Sequence, residues 1–182
     1  MQYPEKFVDL SRLFVYYNAR LIDGTVNEDI GAYLKDGIKA LKEYGVCQEK
    51  LWPYNINNFA IRPSIESYED AKFRNIKNYY RLDTLDDMLD ALNNNLPVLF
   101  GMLVYTTFDG ITKENSTLDI DNKPSAGGHA VSLVGYDLSA KKILARNSFG
   151  DDWGDGGYFW VTFQYVESEI MDAWVFDIDL AK

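Results

Sequence analysis

The sequence is poor in the residues that build covalent or metal crosslinks, with one cysteine, one histidine and five prolines among 182 residues. A single cysteine cannot close an internal disulfide, and one His with one Cys falls short of the usual structural zinc set, so we expect no metal and no cofactor. Positive charge is also scarce, because 18 Lys and Arg stand against 28 Asp and Glu, a net charge of −10. Such a chain repels a phosphate backbone, which argues against nucleic acid and anionic membranes as partners.

Long hydrophobic runs are missing as well. No apolar stretch reaches the roughly 18 residues that a membrane span needs. Residues 1–10 lack both the basic start and the apolar stretch of a signal peptide. We therefore expect a soluble chain without a signal peptide, and its compartment stays open. What the sequence does contain is 47% hydrophobic and 15% aromatic residues, enough for one domain or two small lobes with packed cores.

Hydrophobic periodicity predicts helices in the first part of the chain. Apolar residues recur at helical spacing over 9–21, which ends at Asp23-Gly24, and again over 30–44, which ends at Gly45. These two helices should pack together. A loop rich in aromatic residues and Asn follows over 46–64, and a shorter helix is predicted near 66–74.

The second part of the chain reads mostly as strands. Thr84 with Asp87 three residues later predicts a capping box for one more helix. Runs of β-branched and aromatic residues predict strands at 76–82, 97–105, 129–136, 142–146, 157–163 and 173–178. The polar stretch 106–126 is predicted to be a surface loop and 137–140 a hairpin turn. The expected fold class is α+β, with a helical first lobe over 1–75 and an antiparallel β second lobe over 76–182.

The only histidine, His129, lies in an unusual setting. A lone His at the head of a strand is more often a hydrogen-bonded structural residue than a catalyst. Here, however, the sequence around it is Gly-Gly-His-Ala-Val, and Asn147-Ser148-Phe149-Gly150 follows 18 residues later, before Trp153-Gly154 and Gly157-Tyr158. This pattern resembles the His-Ala-Val strand and the Asn-Ser-Trp-Gly segment of the papain family of cysteine peptidases.

The resemblance implies a papain-like two-lobe fold and a set of site residues. His129 and Asn147 would be the catalytic His and Asn. Phe149 and Trp153 match the aromatic positions that shield the bond between them from water. The substrate-binding residues implied are Gly101, Gly128, Ala130, Phe149 and Trp153. Small residues at Gly101 and Ala130 suggest room for a bulky apolar side chain two residues before the cut.

The chemistry explains why these residue types occur together. A thiolate attacks the amide carbonyl, an imidazole holds and then donates the proton, and a third side chain orients the ring. An Asn performs the orienting without adding a charge. The resemblance therefore implies peptide-bond hydrolysis of the Cys-His-Asn type, with a peptide or protein as substrate or ligand.

The segment that supplies the family's nucleophilic cysteine has no match in this sequence. It precedes the Leu-Ser segment that Leu10-Ser11 resembles, and residues 1–9 hold neither Cys nor Gly. Gln2 is too isolated for the family's oxyanion Gln. Cys47 follows the C-terminal end of a predicted helix, where the dipole disfavours a thiolate, and Ser11 is a weaker nucleophile that matches a different family segment. We expect neither to replace the cysteine.

Three hypotheses follow for the function. The chain is a peptidase polypeptide that lacks its nucleophile, is inactive alone and lacks the central helix of its first lobe. Alternatively, it is a noncatalytic papain-like module that binds a peptide or protein. In a third reading, a separate chain donates the cysteine. The absent central helix would leave an apolar surface of the first lobe uncovered. We expect this surface to be filled by rearrangement of the lobe, by self-association or by a partner that carries the missing segment.

Overall fold

A computed structural model of the chain describes residues 7–120 and 124–178. Expectations for residues 1–6, including Gln2, and for 121–123 within the loop lie outside the described residues. The chain divides into two compact units, a helical unit of Met1–Tyr79 with Phe176–Lys182 and a sheet unit of Tyr80–Val175. The sequence predicts a boundary after residue 75, whereas this grouping divides the chain after Tyr79 and returns its last residues to the helical unit.

The helical unit contains three α-helices, and their ends are set by local side chains. They are α1 (Arg12–Asp23), α2 (Leu34–Glu43) and α3 (Ile65–Ala71). The Ser11 hydroxyl caps α1 by accepting from the Phe14 N–H, and Gly24 ends the helix with a positive φ of 83°. Residues 9 and 10 therefore lie outside the helix that the sequence predicts to begin at residue 9.

The interior of the helical unit is small. α1 and α2 pack together, as their apolar faces predict. Phe14, Cys47 and Ala71 form a buried cluster against which Tyr44 and Tyr68 pack. Several large apolar side chains of this unit stay exposed, among them Ile30, Tyr33, Ile65 and Phe73.

The strands form a seven-stranded sheet together with two more helices. In chain order the elements are β1 (Ile76–Arg81), α4 (Leu85–Asn93), β2 (Val98–Tyr105), β3 (Thr117–Leu118), β4 (Ser125–Asp137), β5 (Lys142–Arg146), β6 (Tyr158–Thr162), α5 (Phe163–Glu169) and β7 (Ile170–Ile178). The strand order is β1-β7-β2-β4-β5-β6-β3. Pairs β2–β4, β2–β7, β4–β5 and β5–β6 are antiparallel, and β3 adds to β6 in parallel. The fold class is α+β.

Alternation along the strands builds the core of the sheet unit. On β2, Val98, Phe100 and Met102 are fully buried, and they face Leu133 and Val131 on β4. The predicted capping box at Thr84 and Asp87 is present at the start of α4. Among the described residues, no helix is both long and apolar enough to cross a membrane.

Two features of the sheet unit differ from the sequence prediction. Residues 106–126 form more than a surface loop, because Phe108, Ile111 and Leu118 are buried and the segment contains β3 and the start of β4. The helix α5 was not predicted. Thr162 caps it by accepting from the Tyr165 N–H, and Tyr165 is fully buried. Its seven residues offer too few turns for a periodic signal.

Candidate active site

His129 lies on β4, on the strand face that points toward the core of the sheet unit. Its cross-strand neighbour on β2 is Met102, and Val131 and Leu133 follow on the same face as buried residues. The backbone of His129 is held by the β2–β4 pairing, and the strand continues from it into the core of the unit. The His129 ring is only half-buried. The ring is therefore both fixed in place and accessible.

Asn147 comes directly after β5 and is 7% exposed. Its N–H donates to the Gly157 carbonyl at 2.9 Å, which ties the end of β5 to the start of β6. The His129 Nε2 lies 2.9 Å from the Asn147 Oδ1. The structure thus brings together the two residues that the sequence singles out, from strands that are neighbours in the sheet.

A second donor fixes the orientation of the Asn147 amide. The Ser148 N–H donates to Asn147 Oδ1 at 2.8 Å, so the atom facing His129 must be the oxygen rather than the NH2 group. The His129 Nε2 must then carry the proton, which leaves a lone pair on Nδ1 of the neutral ring. Within residues 7–120 and 124–178, Nδ1 has no hydrogen-bond partner. One ring nitrogen is held, and the other is free to exchange a proton.

Aromatic rings surround this pair. The Phe149 and Phe108 ring centroids lie 5.3 Å and 5.2 Å from that of His129. Trp153 packs edge-on against Phe149 at 5.6 Å, and Phe159 supports Trp153 from the core at 5.3 Å. These rings pack around the imidazole, and Asn147 itself is 7% exposed. A hydrogen bond in less polar surroundings is stronger than one in water.

Phe108 belongs to this aromatic group but was missed in the sequence. It lies in a short 3-10 turn, Phe108–Gly110, within the segment predicted as a polar surface loop, and it is 4% exposed. A single Phe in a polar stretch carries no periodic signal. The neighbouring Ile111, buried in the same core cluster, is the nearest apolar residue that could have indicated a buried turn.

The glycine-rich segment between β5 and β6 positions Trp153. Gly154 has a φ of 59°, and a Cβ there would lie 2.5 Å from the Tyr158 carbonyl oxygen. Only glycine fits so close an approach without moving the backbone. The turn is closed by the Gly157 N–H, which donates to the Trp153 carbonyl at 2.7 Å.

The predicted substrate-binding residues Gly101, Gly128 and Ala130 lie on the other face of the same strands. Gly101 pairs directly with Ala130, and Gly128 pairs with Leu103. Because successive residues alternate in direction, Gly128 and Ala130 point away from the face that carries the His129 ring. They therefore border the His129 backbone rather than its imidazole.

Neither alternative nucleophile has the surroundings of one. Cys47 is fully buried in the helical unit, and burial raises the pKa of its thiol, which disfavours the thiolate. The Ser11 hydroxyl is occupied, since it accepts from the Phe14 N–H and donates to the Trp52 carbonyl at 2.6 Å. Within the described part of the chain, no three His, Cys, Asp or Glu side chains are grouped so as to hold a metal ion.

An imidazole held by a side-chain amide on an antiparallel sheet, with its other nitrogen free, is the arrangement of cysteine-type peptidases that use a Cys-His-Asn set. Residues 19–177 match the family model described as papain family cysteine protease. The chain belongs to this family.

Known relatives agree with this assignment. The chain is 37% identical over 181 residues to an uncharacterised peptidase C1-like protein of Acanthamoeba polyphaga mimivirus, covering 91% of this chain and 58% of that protein. It is 27% identical over 139 residues to a cathepsin B-like protein of Giardia intestinalis, covering 71% of this chain and 45% of that protein. The chain thus spans about half of the length of these curated relatives.

Solved structures give the same result. The cysteine protease xylellain from Xylella fastidiosa has a TM-score of 0.82 at 38% identity, over 97% of this chain and 72% of that chain. The bromelain protease from Ananas comosus has a TM-score of 0.69 at 17% identity, over 96% of this chain and 80% of that chain, which supports the fold alone. The papain-like fold expected from the sequence is confirmed.

Proposed function

We propose that His129 and Asn147 are the proton-transfer half of a Cys-His-Asn peptidase site that hydrolyses peptide bonds. The observation that carries the proposal is the 2.9 Å contact between His129 Nε2 and Asn147 Oδ1, with the oxygen fixed by the Ser148 N–H. This pair of bonds selects one tautomer and aims the lone pair of Nδ1 away from Asn147. A structural histidine would need only one of these features.

The proposed chemistry has two steps. Nδ1 takes the proton of a cysteine thiol, the sulfur bonds to the peptide carbonyl carbon, and the proton passes to the amine nitrogen as the C–N bond breaks. A water molecule then gives a proton to Nδ1, adds to the thioester, and the thiol leaves with that proton. Asn147 keeps the imidazole oriented while the charge of the imidazole changes. The surrounding aromatic side chains keep water from Nε2.

The proposal places the nucleophile outside these 182 residues. Cys47 is the only cysteine in the sequence, and it lies in the helical unit. Its thiol is buried, and burial raises the pKa of that thiol. We therefore expect the chain alone to be inactive and to gain activity only with a cysteine-bearing segment as partner. A peptide substrate would contact Gly101, Gly128 and Ala130 on one strand face and the exposed ring of Phe149, with Trp153 behind it.

The decisive experiment restores the missing group. A papain-family segment that carries the Gly-Ser-Cys motif is fused to the chain, and hydrolysis of fluorogenic dipeptides is followed under reducing conditions. We expect the fusion to hydrolyse them, the chain alone and its Cys47→Ala variant to be silent, and His129→Ala to reduce the fusion's rate at least about a thousandfold. Turnover by the chain alone that vanishes in Cys47→Ala would contradict the placement of the nucleophile.

A second measurement does not depend on turnover. Two-bond ¹H–¹⁵N correlation of the His129 ring reports which nitrogen carries the proton. We expect protonation at Nε2 with a free Nδ1 near pH 8, and a mixture of tautomers in Asn147→Ala. A ring protonated at Nδ1 in the unmodified chain would overturn the proposed role of His129, whether or not a fusion folds.

A further inference from the structure

The sulfur atoms of the chain differ in their access to solvent. The sequence holds one cysteine and four methionines, of which Met1 lies outside the described residues. Cys47, Met88 and Met102 are buried in the cores of the two units. Met171, in contrast, is 55% exposed. A small aqueous oxidant reaches an exposed thioether first, so Met171 is the described sulfur residue that such an oxidant attacks most readily.

An irregularity in the sheet places the Met171 side chain. Gly101 on β2 pairs with Asp172 on β7. The next residue of β2, Met102, pairs with Ile170, which leaves Met171 as the extra residue of a bulge. A bulged residue has no partner in the ladder, and its side chain departs from the regular alternation of the strand. The bulge therefore sets the direction of this side chain.

The thioether end of Met171 lies against Gly128. A Cβ on Gly128 would come within 3.2 Å of the Met171 Sδ and 3.5 Å of its Cε. Gly128 is on β4, and β2 separates β4 from β7, so the side chain reaches across a strand to make this contact. Because Gly128 has no side chain, the sulfur can occupy the space above it. Gly128 directly precedes His129, so the exposed sulfur packs against the backbone beside the candidate site.

Oxidation would change this contact. A thioether is apolar and flexible, whereas a sulfoxide is polar, chiral and larger by one oxygen. The sulfur is already so close to Gly128 that no oxygen fits between them. The new oxygen also requires hydrogen-bond donors, which water supplies. Both effects favour rotation of the oxidised side chain away from Gly128 and into solvent.

We propose that Met171 is an oxidation site for hydrogen peroxide, and that its sulfoxide leaves Gly128 and alters the surface beside His129. In the reaction, a lone pair of the sulfur bonds to one peroxide oxygen and the O–O bond breaks. The sulfur is oxidised by two electrons, and the remaining hydroxide takes the proton of the transferred oxygen and leaves as water. This modification goes beyond the proposed peptidase function and requires no cysteine-bearing partner.

The test follows the methionines of the chain during treatment with hydrogen peroxide. Peptide mapping by mass spectrometry gives the sulfoxide fraction at Met171, Met88 and Met102. We expect Met171 to be oxidised at least about tenfold faster than the two buried residues. In ¹H–¹⁵N spectra, the Gly128 and His129 amides should shift as the Met171 sulfoxide forms. Methionine sulfoxide reductases, one for each epimer, should then restore the original spectrum.

Two variants locate the effect. Met171→Leu keeps an apolar side chain of similar volume without an oxidisable sulfur, so peroxide should leave the 128–129 amides of this variant unshifted. Gly128→Ala places a Cβ where the sulfur lies, at a position whose φ is not positive and which therefore accepts Ala. In this variant Met171 should still be oxidised, but with little change at the His129 amide.

Several outcomes would overturn the proposal. They are oxidation of Met171 no faster than that of Met88, a Met171 sulfoxide that leaves the Gly128 and His129 amides unshifted, and a peroxide-dependent shift that persists in Met171→Leu. An undiminished His129 shift in Gly128→Ala would also contradict it, because the effect would not pass through the Gly128 contact. The tautomer of His129 and the activity of the fusion do not enter these measurements, so failure of this proposal is distinguishable from failure of the proposed function.

Discussion

The two units of the chain differ in what they bury. The interior of the sheet unit is a continuous apolar cluster, and the one polar side chain described as buried there is Asn147. Among its described residues, the helical unit buries five, namely Ser11, Asn18, Arg20, Asp36 and Ser67, around a much smaller apolar cluster. A buried polar side chain is therefore ordinary in the helical unit and an exception in the sheet unit, where it marks the candidate site.

In the helical unit, hydrogen bonds of buried polar groups join helices and loops, whereas apolar packing joins the elements of the sheet unit. The Asn18 amide donates to the Phe14 carbonyl and accepts from the Tyr68 hydroxyl, which ties α3 to α1. The Arg20 guanidinium donates to the carbonyls of Val26, Glu28 and Phe59 and stacks on the Tyr16 ring at 4.0 Å. Loops are thereby fastened to a helix through their backbone oxygens.

The largest expected effect comes from emptying the apolar core of the sheet unit. Phe159 is fully buried on β6 and supports both Phe108 and Trp153. Phe159→Ala should cost about 3–5 kcal/mol of unfolding free energy through the cavity it leaves. Hydrogen exchange at the β5 and β6 amides is the suitable measurement, because two compact units do not justify a single two-state transition.

Phe149→Ala is the matched control for that change. It removes a ring of the same type from the same group, but one that is 52% exposed. It should cost less than about 1 kcal/mol. Equal effects of the two substitutions would show that the shared ring group, rather than the depth of burial, sets the stability of the unit.

A smaller effect is expected from removing the buried cation of the helical unit. Arg20→Met keeps the stem but removes the buried guanidinium that donates to three part-buried carbonyls, so it should cost about 2–4 kcal/mol. Exchange protection should fall in residues 24–31 while the sheet unit is unchanged. Arg20→Lys keeps the charge but lacks the fork that reaches several acceptors, and its effect should be intermediate. If Arg20→Met changes protection by no more than Arg20→Lys, the carbonyl contacts do not hold the loop.

Features encoded by neighbours in sequence could be predicted. The capping box of α4, the stop at Gly24 and the strand β5 all depend on residues a few positions apart, and each was found where expected. The pairing of His129 with Asn147 was implied by family resemblance, and the β4–β5 ladder gives its physical cause. Their catalytic role stays a prediction.

Features that depend on distant contacts could not be predicted. Phe108 is buried because His129, Trp153 and Phe159 come together around it, which no local pattern shows. Arg20 lies seven residues after Leu13, on the buried face of α1, and only the fold reveals the carbonyls that face it. The position of Asp172 opposite Gly101 depends on a bulge, which shifts the register of β7 by one residue.

The N-caps of α4 and α1 allow a second comparison of the two units, with smaller expected losses of stability. Thr84 caps α4 at an exposed position, so Thr84→Ala should cost about 1 kcal/mol. Ser11 caps α1 while buried and also donates to the Trp52 carbonyl, so Ser11→Ala should cost about 2 kcal/mol because an acceptor loses its donor as well. Exchange at the first turn of each helix measures both. Identical costs would mean that burial of the cap adds nothing.

The smallest effect concerns Asp70 on α3 and depends on pH. Burial alone would raise the pKa of this carboxyl, but hydrogen bonds from the Gln48 backbone and the Arg74 guanidinium outweigh it, so its pKa is lowered. A carboxyl with a lowered folded-state pKa stabilises the protein above its unfolded value of about 3.9 and loses that contribution as pH falls through the folded value.

Asp70→Asn should therefore lower the stability of the helical unit by about 1 kcal/mol at pH 7, and by progressively less below about pH 4. Glu69→Gln is the control on the same helix, because the Glu69–Lys72 pair is exposed and should contribute almost nothing at any pH. The measurement is urea unfolding followed by exchange at the 45–50 amides between pH 3 and pH 7. A difference between Asp70→Asn and the unmodified chain that stays constant down to pH 3 would show that Asp70 acts through its shape, because an effect of its charge must vanish once the carboxyl is protonated.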